Sequence, residues 1–189
     1  PSTVHWIRQQ PWCNGKVGVI GVSYLGFTAW ACCDGADVDA IVPVITQSSV
    51  KSAVFHSAGA VSFELVVLWF YLVVHLMSSA GRLGAARKFV KGQWERTVKR
   101  ALEHAPISEV DKILLGYRHE FLQQGLAAHS NPSSSFWDDK DRLCTFSKKV
   151  PPCHILTGWY DFFLEGALQD YERTKQHQSN VRLTIGPYS

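Results

Sequence analysis

The chain has 189 residues, 19% of them charged and 46% hydrophobic, and carries a net charge of +3 with its eight histidines neutral. This fits one domain of ordinary globular composition, excludes a disordered or low-complexity chain, and lacks the concentrated basic stripe that nucleic-acid binding requires. Seven Trp, ten Phe and six Tyr suit apolar pockets. Five Cys, at spacings that fit neither zinc nor a disulfide framework, read as reduced thiols in a cytoplasmic setting. The chain opens on Pro1 with no basic segment leading into an apolar one, so no signal peptide is visible and the sequence reads as a piece of a longer protein.

Residues 2–11 have helical spacing in Val4, Ile7 and Arg8, and Asn14-Gly15 marks a turn. Lys16 to Val22 is a short apolar run rich in β-branched residues, which predicts a buried strand. Ser23 to Cys33 reads as a helix, Asp34 to Asp37 as a break, and Ala40 to Thr46 as a second strand, with Pro43 arguing against a central position. From 48 to 147 the strand texture gives way to helices. Residues 60–77 are apolar except for Glu64 and His75, and residues 86–102 alternate Phe89, Val90, Trp94, Val98 and Leu102 with Lys91, Arg96, Lys99 and Arg100. Residues 109–124 read as one helix with Ser108 and Asp111 approximating a capping box and Gly125 as its stop. Residues 129–135 form a loop. Strands return at Cys153–Gly158 and Val181–Ile185, around an amphipathic helix over 162–175 carrying Leu164, Leu168 and Tyr171.

Strands alternating with helices imply an α/β fold with a parallel sheet and crossover helices. The expected organisation is a partial core of 1–47 and 148–189, with 48–147 inserted as a helical cap over one end of the sheet. The apolar stretch 60–77 has the length of a membrane span, but two ionisable residues inside it count against that reading. The basic helix at 86–102 reads as a solvated cap face before a membrane or acidic-partner surface.

Gly21-Val22-Ser23-Tyr24-Leu25-Gly26 follows a predicted strand and opens a predicted helix. That is the context of a nucleophile elbow, in which a sharp turn holds a serine proud of the sheet near the amides of a helix N-terminus. Leu25 stands where G-x-S-x-G has its second glycine, and a serine in such a turn is also a common N-cap. Thr157-Gly158-Trp159-Tyr160-Asp161 brings a carboxylate to a strand end, where α/β active sites gather, and where it also serves as an N-cap. None of the eight histidines follows the last predicted strand, where the order Ser…Asp…His would put a base; His154 begins a strand and His177 ends a helix.

The run from Trp12 to Gly26 resembles the cocaine-esterase-like family of α/β-hydrolases, grouped with X-Pro dipeptidyl peptidases and α-amino-acid ester hydrolases. That family's elbow is G-x-S-Y-x-G, which accounts for Leu25 and Gly26. Gly158-Trp159-Tyr160-Asp161 resembles its G-W-Y-D, in which the Asp is the triad acid. Gly186-Pro187-Tyr188-Ser189 resembles the start of its G-P-W-S-H, in which the final His is the base.

The resemblance spans nearly the whole chain and implies a serine acyl hydrolase acting on small-molecule esters or amides, or on peptides. Ser23 and Asp161 would be catalytic, the triad His would come just after Ser189, and the Tyr24 N–H would serve the oxyanion. The resemblance also points to Trp69 and Phe163 as pocket residues, with Phe55 a further candidate. It implies no metal and no organic cofactor. It further implies upstream strands that complete the oxyanion hole and a C-terminal jelly roll, so residues 1–189 alone are expected to be inactive and poorly soluble. X-Pro dipeptidyl-peptidase or α-amino-acid ester hydrolase activity is the alternative within the group. The carboxylates with which that group reads a substrate amine cannot be placed from the sequence, and nothing in it singles out Glu64, Asp138 or Asp139 for the role. A non-catalytic remnant serving as an interaction module is the alternative outside it.

Overall fold

The computed structural model describes residues 2–35, 37–55, 59–77, 93–129, 131, 134–141, 145–146 and 150–187. In chain order the elements are α1 (Ser2–Arg8), β1 (Gly18–Val22), α2 (Tyr24–Gly35), β2 (Ala40–Val44), α3 (Val50–Val54), α4 (Phe63–Met77), α5 (Gln93–Leu102), α6 (Val110–Leu115), α7 (Glu120–His129), α8 (Phe136–Asp141), β3 (Cys153–Gly158), α9 (Leu164–His177) and β4 (Val181–Gly186). Phe89, Val90, Lys91, Tyr188 and Ser189 lie outside the described residues. The chain divides into two compact units, 1–53 with 138–189, and 54–137.

The first unit is built on a four-stranded sheet in the order β1-β2-β3-β4, with every neighbouring pair parallel. Register runs from Gly18 opposite Ala40 to Val22 opposite Val44, and from Cys153 opposite Val181 to Gly158 opposite Gly186. Parallel pairing brings the C-terminal ends of all four strands to one edge. This is an α/β-hydrolase-like sheet, with the four strands where the hydrophobic runs predict them.

Alternation sends Ile41, Cys153 and Ile155 to one face, where they pack with Trp30 and Cys33 of α2 and Ala167 of α9. Trp30 and Ile41 are fully buried, and each contributes on the order of 2 kcal/mol. Ile20 and Val22, on the opposite face of β1, are 71% and 53% exposed.

Pro43 corrects the sequence reading, because β2 lies between β1 and β3. Along β2 the Ile41 N–H donates to Pro152 O at 3.0 Å and the Ile45 N–H to Leu156 O at 2.8 Å. Pro43 falls midway between those donors. Its missing N–H therefore deletes one rung of the β2–β3 ladder, and the flanking rungs hold the strand in place.

The second unit is helical. Val66, Val67, Phe70 and Tyr71 of α4 bury against Val98 and Ala101 of α5, Val110 and Leu114 of α6, and Leu122 of α7. Among the described residues no helix is long and apolar enough to cross a membrane, and α4 has 15 residues.

The expected single helix over 109–124 is two helices. α6 ends at Gly116, whose φ of +83° is the left-handed conformation glycine adopts without a Cβ penalty. Asp111 builds no capping box. Its buried carboxylate accepts from the His119 N–H and from Gln123 Nε2, both at 2.8 Å, and so ties the turn to α7. Gly125 is no helix stop: it lies inside α7, where a Cβ would come within 2.8 Å of the Trp137 ring.

A polar cluster closes the N-terminal edge of the sheet. Arg8 and Lys16 each reach Asp39 at 2.9 Å, and the Val17 N–H donates to the same carboxylate at 2.8 Å. The Val17 amide, then the Lys16 ammonium, hold the Asp39 carboxyl below its ordinary value, with Arg8 adding to them. A depressed folded value means that this stabilisation is present above the unfolded carboxylate range and is lost as pH falls through the lower folded value. Asp39→Asn should therefore flatten the acid limb of stability. Chaotrope midpoints of the intact protein between about pH 5 and pH 2 should fall less steeply in the variant than in the wild type.

Candidate active site

Ser23 stands between β1 and α2 with φ +55°, in the left-handed region that non-glycine residues occupy at a cost of about 1–3 kcal/mol. Its N–H donates to Val44 O on β2 at 2.9 Å, and its carbonyl accepts from the Phe27 N–H at 3.0 Å, opening the helix. The two glycines of the motif have steric reasons to be there. A Cβ on Gly21 would lie 2.1 Å from Leu25 O, and one on Gly26 would lie 2.5 Å from Thr46 Cγ2 and 2.8 Å from Gly21 O. The turn folds its first helical residues back onto the strand end more closely than any side chain at position 21 or 26 allows. Leu25 and Tyr24, by contrast, face outward, 63% and 61% exposed, so position 25 needs no glycine.

Tyr24 is the first residue of α2, and first-turn amides have no partner within their own helix. Those N–H groups, with the positive end of the helix dipole, surround the Ser23 turn and favour a developing negative charge beside it.

Asp161 follows β3 and is 8% exposed. Thr157, fully buried at the penultimate residue of β3, donates its hydroxyl to Oδ2 at 2.7 Å, and the Phe163 N–H donates to Oδ1 at 3.0 Å. One donor on each oxygen fixes the plane of the carboxylate and leaves lone pairs for a further donor. The Asp161 carbonyl also accepts from the Leu164 N–H at 3.1 Å, so the residue organises the turn leading into α9, but the N-cap is Phe163 and not Asp161 as the sequence suggested. Sequence reasoning missed Thr157; the signal available was a hydroxyl at a core-facing position of an apolar strand.

Ser23 and Asp161 thus leave the same, C-terminal, edge of the sheet, from strands separated by β2 alone, about 10 Å apart. The described histidines of this unit lie elsewhere. His154 is four residues before the end of β3, about 13 Å back along the strand, with its ring against Thr184 Oγ1 at 2.9 Å. His177 ends α9, about 20 Å from the helix start that Asp161 organises. His5 lies on α1 beside Gln9.

Phe163 is half-buried two residues beyond Asp161. In the helical unit Trp69 is 37% exposed on α4, with its ring edge-on to Phe70. Phe55 is buried there, stacked on His129 at 4.0 Å and edge-on to Trp137 at 5.2 Å. Glu64 is exposed in the first turn of α4, and Asp138 reaches Lys51 at 3.6 Å. The side chain of Asp139 lies outside the described residues. Among the described residues no group of three or more His, Cys, Asp and Glu is arranged to hold a metal ion.

A parallel sheet with a strained serine turn and a buried carboxylate at one edge defines an α/β-hydrolase-like protein. The family model described as X-Pro dipeptidyl-peptidase (S15 family) matches residues 1–189, and the chain belongs to that family. It is also 30% identical over 195 residues to the cocaine esterase of Rhodococcus sp. (strain MB1 Bresler), a match that takes in all of this chain and 33% of that protein. The chain therefore spans about a third of the length of that relative.

Because the clash at Gly21 is with backbone, Gly21→Ala should be severe. We expect a loss of roughly 3 kcal/mol or more in equilibrium unfolding of the intact protein. Leu25→Ala, two helix positions into solvent, should stay within about 0.5 kcal/mol of wild type.

Proposed function

We propose that the intact protein is a serine hydrolase that cleaves ester or amide bonds by acyl transfer, with Ser23 as nucleophile and Asp161 as the acid of a Ser-Asp-His triad. The observation that carries this reading is the left-handed Ser23 turn at the same sheet edge as a buried carboxylate with a donor on each oxygen. Membership of the X-Pro dipeptidyl-peptidase family supports it. The base is the imidazole of the residue that follows Ser189 in the intact protein. β4 runs parallel to β3 with Gly186 opposite Gly158, so it ends at the sheet edge that also carries Asp161, which supports this reading.

In this mechanism the imidazole takes the Ser23 hydroxyl proton as Oγ attacks the carbonyl carbon. The tetrahedral oxyanion receives the Tyr24 N–H and one donor contributed by a segment outside residues 1–189. Collapse expels the alcohol or amine, which takes the proton from the imidazolium. Water then attacks the acyl-enzyme by the same route and regenerates Ser23. Asp161 holds the imidazole in the required tautomer and offsets its charge when protonated.

Phe163, two residues beyond Asp161, serves the acyl or leaving-group pocket in this reading, and Trp69 and Phe55 are the further candidates to which the family resemblance points. The substrate is a small-molecule ester or amide. The family description favours a second reading, cleavage after an X-Pro dipeptide, in which a carboxylate reads the substrate amine.

The test is a fluorophosphonate probe on the intact protein, followed by turnover of an activated aryl ester and of an X-Pro anilide. Label should appear on Ser23, and Ser23→Ala should lose both label and turnover. Asp161→Asn should lower kcat by about 10⁴-fold, as expected when the base is left in the wrong tautomer. Preference for the aryl ester supports the esterase reading and preference for the anilide the peptidase reading. Failure of Ser23 to label supports the non-catalytic remnant. Residues 1–189 expressed alone should turn over neither substrate, since triad members act as a unit.

A further inference from the structure

We propose that Asp170 is a positioning residue of the acyl-transfer site, acting through the buried loop 45–48 that lies between the Ser23 elbow and α9. This rests on the reading of Ser23 and Asp161 as nucleophile and acid.

The loop begins at Ile45, a β-branched residue at φ +47°, a conformation that persists only where the surroundings enforce it. Beyond it Thr46, Gln47 and Ser48 are all buried, at 4%, 6% and 4% exposure, although all three are polar. Each touches a different part of the site. Thr46 occupies the space a Cβ on Gly26 would need, directly beneath the first turn of α2. Gln47 occupies the space a Cβ on Gly166 would need, two residues into α9, and its Nε2 donates to Ser49 O at 3.0 Å and Ser52 Oγ at 3.1 Å. Ser48 is gripped by Asp170: its N–H donates to Oδ2 at 2.6 Å and its hydroxyl to Oδ1 at 2.5 Å.

Asp170 itself is 5% exposed, and its carbonyl accepts from the fully buried Thr174 hydroxyl at 2.5 Å. A carboxylate this deep is costly to bury, and each of its two oxygens accepts from one serine 122 residues away. Hydrophobic residues would anchor α9 to the sheet as well. A bidentate carboxylate fixes the loop's distance and orientation, which an apolar contact does not. The path is continuous: Asp170 holds Ser48, the loop seats Gly26 and Gly166, Gly26 belongs to the Ser23 turn, and α9 starts at the Asp161 loop. Releasing Ser48 frees the loop to move and changes the spacing between nucleophile and acid.

The experiment uses the intact protein, an activated aryl ester and the rate of fluorophosphonate labelling at Ser23. Asp170→Ala should lower kcat and the labelling rate by about a hundredfold, the scale of a misplacement near 1 Å, with KM within about threefold of wild type. Asp170→Asn keeps one acceptor for the Ser48 N–H and offers an N–H to its hydroxyl, so it should restore kcat to within about fivefold of wild type. Ser48→Ala removes one of the two bonds and should lower kcat about tenfold.

A folded Asp170→Ala protein with wild-type kcat and labelling, and only a lower melting temperature, overturns the proposal. If Asp170→Ala does not fold, Ser48→Ala decides alone, and an unchanged kcat in that variant overturns it. Loss of the parent reading has a different signature, with turnover persisting in Ser23→Ala.

Discussion

Ser23 sits at φ +55°, and the surrounding chain makes that conformation the one available to it. The Val44 carbonyl takes its amide, Gly21 and Gly26 let strand and helix close to within contact of each other, and Thr46 closes the space beside Gly26. A strand delivered into a helix this tightly has no room for a looser turn. The serine is held at the strand end, with the helix amides around it, whatever its side chain does. The motif's glycines are thus steric requirements of a backbone path, and the freedom at Leu25 follows from the same geometry.

The rest of the unit gives that turn its fixed reference. β2 accepts the Ser23 amide, and its ladder to β3 lacks one rung because Pro43 has no N–H to donate. Its C-terminal extension compensates through buried polar contacts. Ile45 bonds to Leu156, and Ser48 is clasped by Asp170. The same carboxylate lies near the Cys153 thiol. Burial pushes that thiol well above its ordinary range, and the charges of Cys33 and Asp170 push in the same direction. Cys153 accordingly belongs to the packed core, as an inert neighbour of the sheet.

The face of α9 shows how such polar anchoring evades pattern reading. Leu164, Leu168 and Tyr171 recur at helical spacing and suggest an apolar seam, yet Leu168 is 38% exposed. The buried side runs through Gly166, Ala167, Asp170 and Thr174. An aspartate and a threonine carry no hydrophobic signal, and Asp170 finds its partner in a loop more than a hundred residues earlier. Gly125 misleads in the same way: it reads as a helix stop and is a cavity for Trp137.

The four strands, their parallel pairing and the strand-to-helix setting of Ser23 were legible in the sequence alone. The strands rest on β-branched runs and Asn14-Gly15 on local turn chemistry, whereas the spacing of Gly21, Ser23 and Gly26 reads as an elbow through the family resemblance. Tertiary structure alone decided that β2 takes a central place despite Pro43, that the helical stretch breaks at Gly116, and that Thr157 and the Phe163 amide orient Asp161. It likewise decided that Asp170 reaches Ser48. Those outcomes turn on which groups become neighbours across long stretches of chain. A hydrogen bond or an excluded Cβ acts at a few ångströms of space, and spacing along the sequence does not encode that distance.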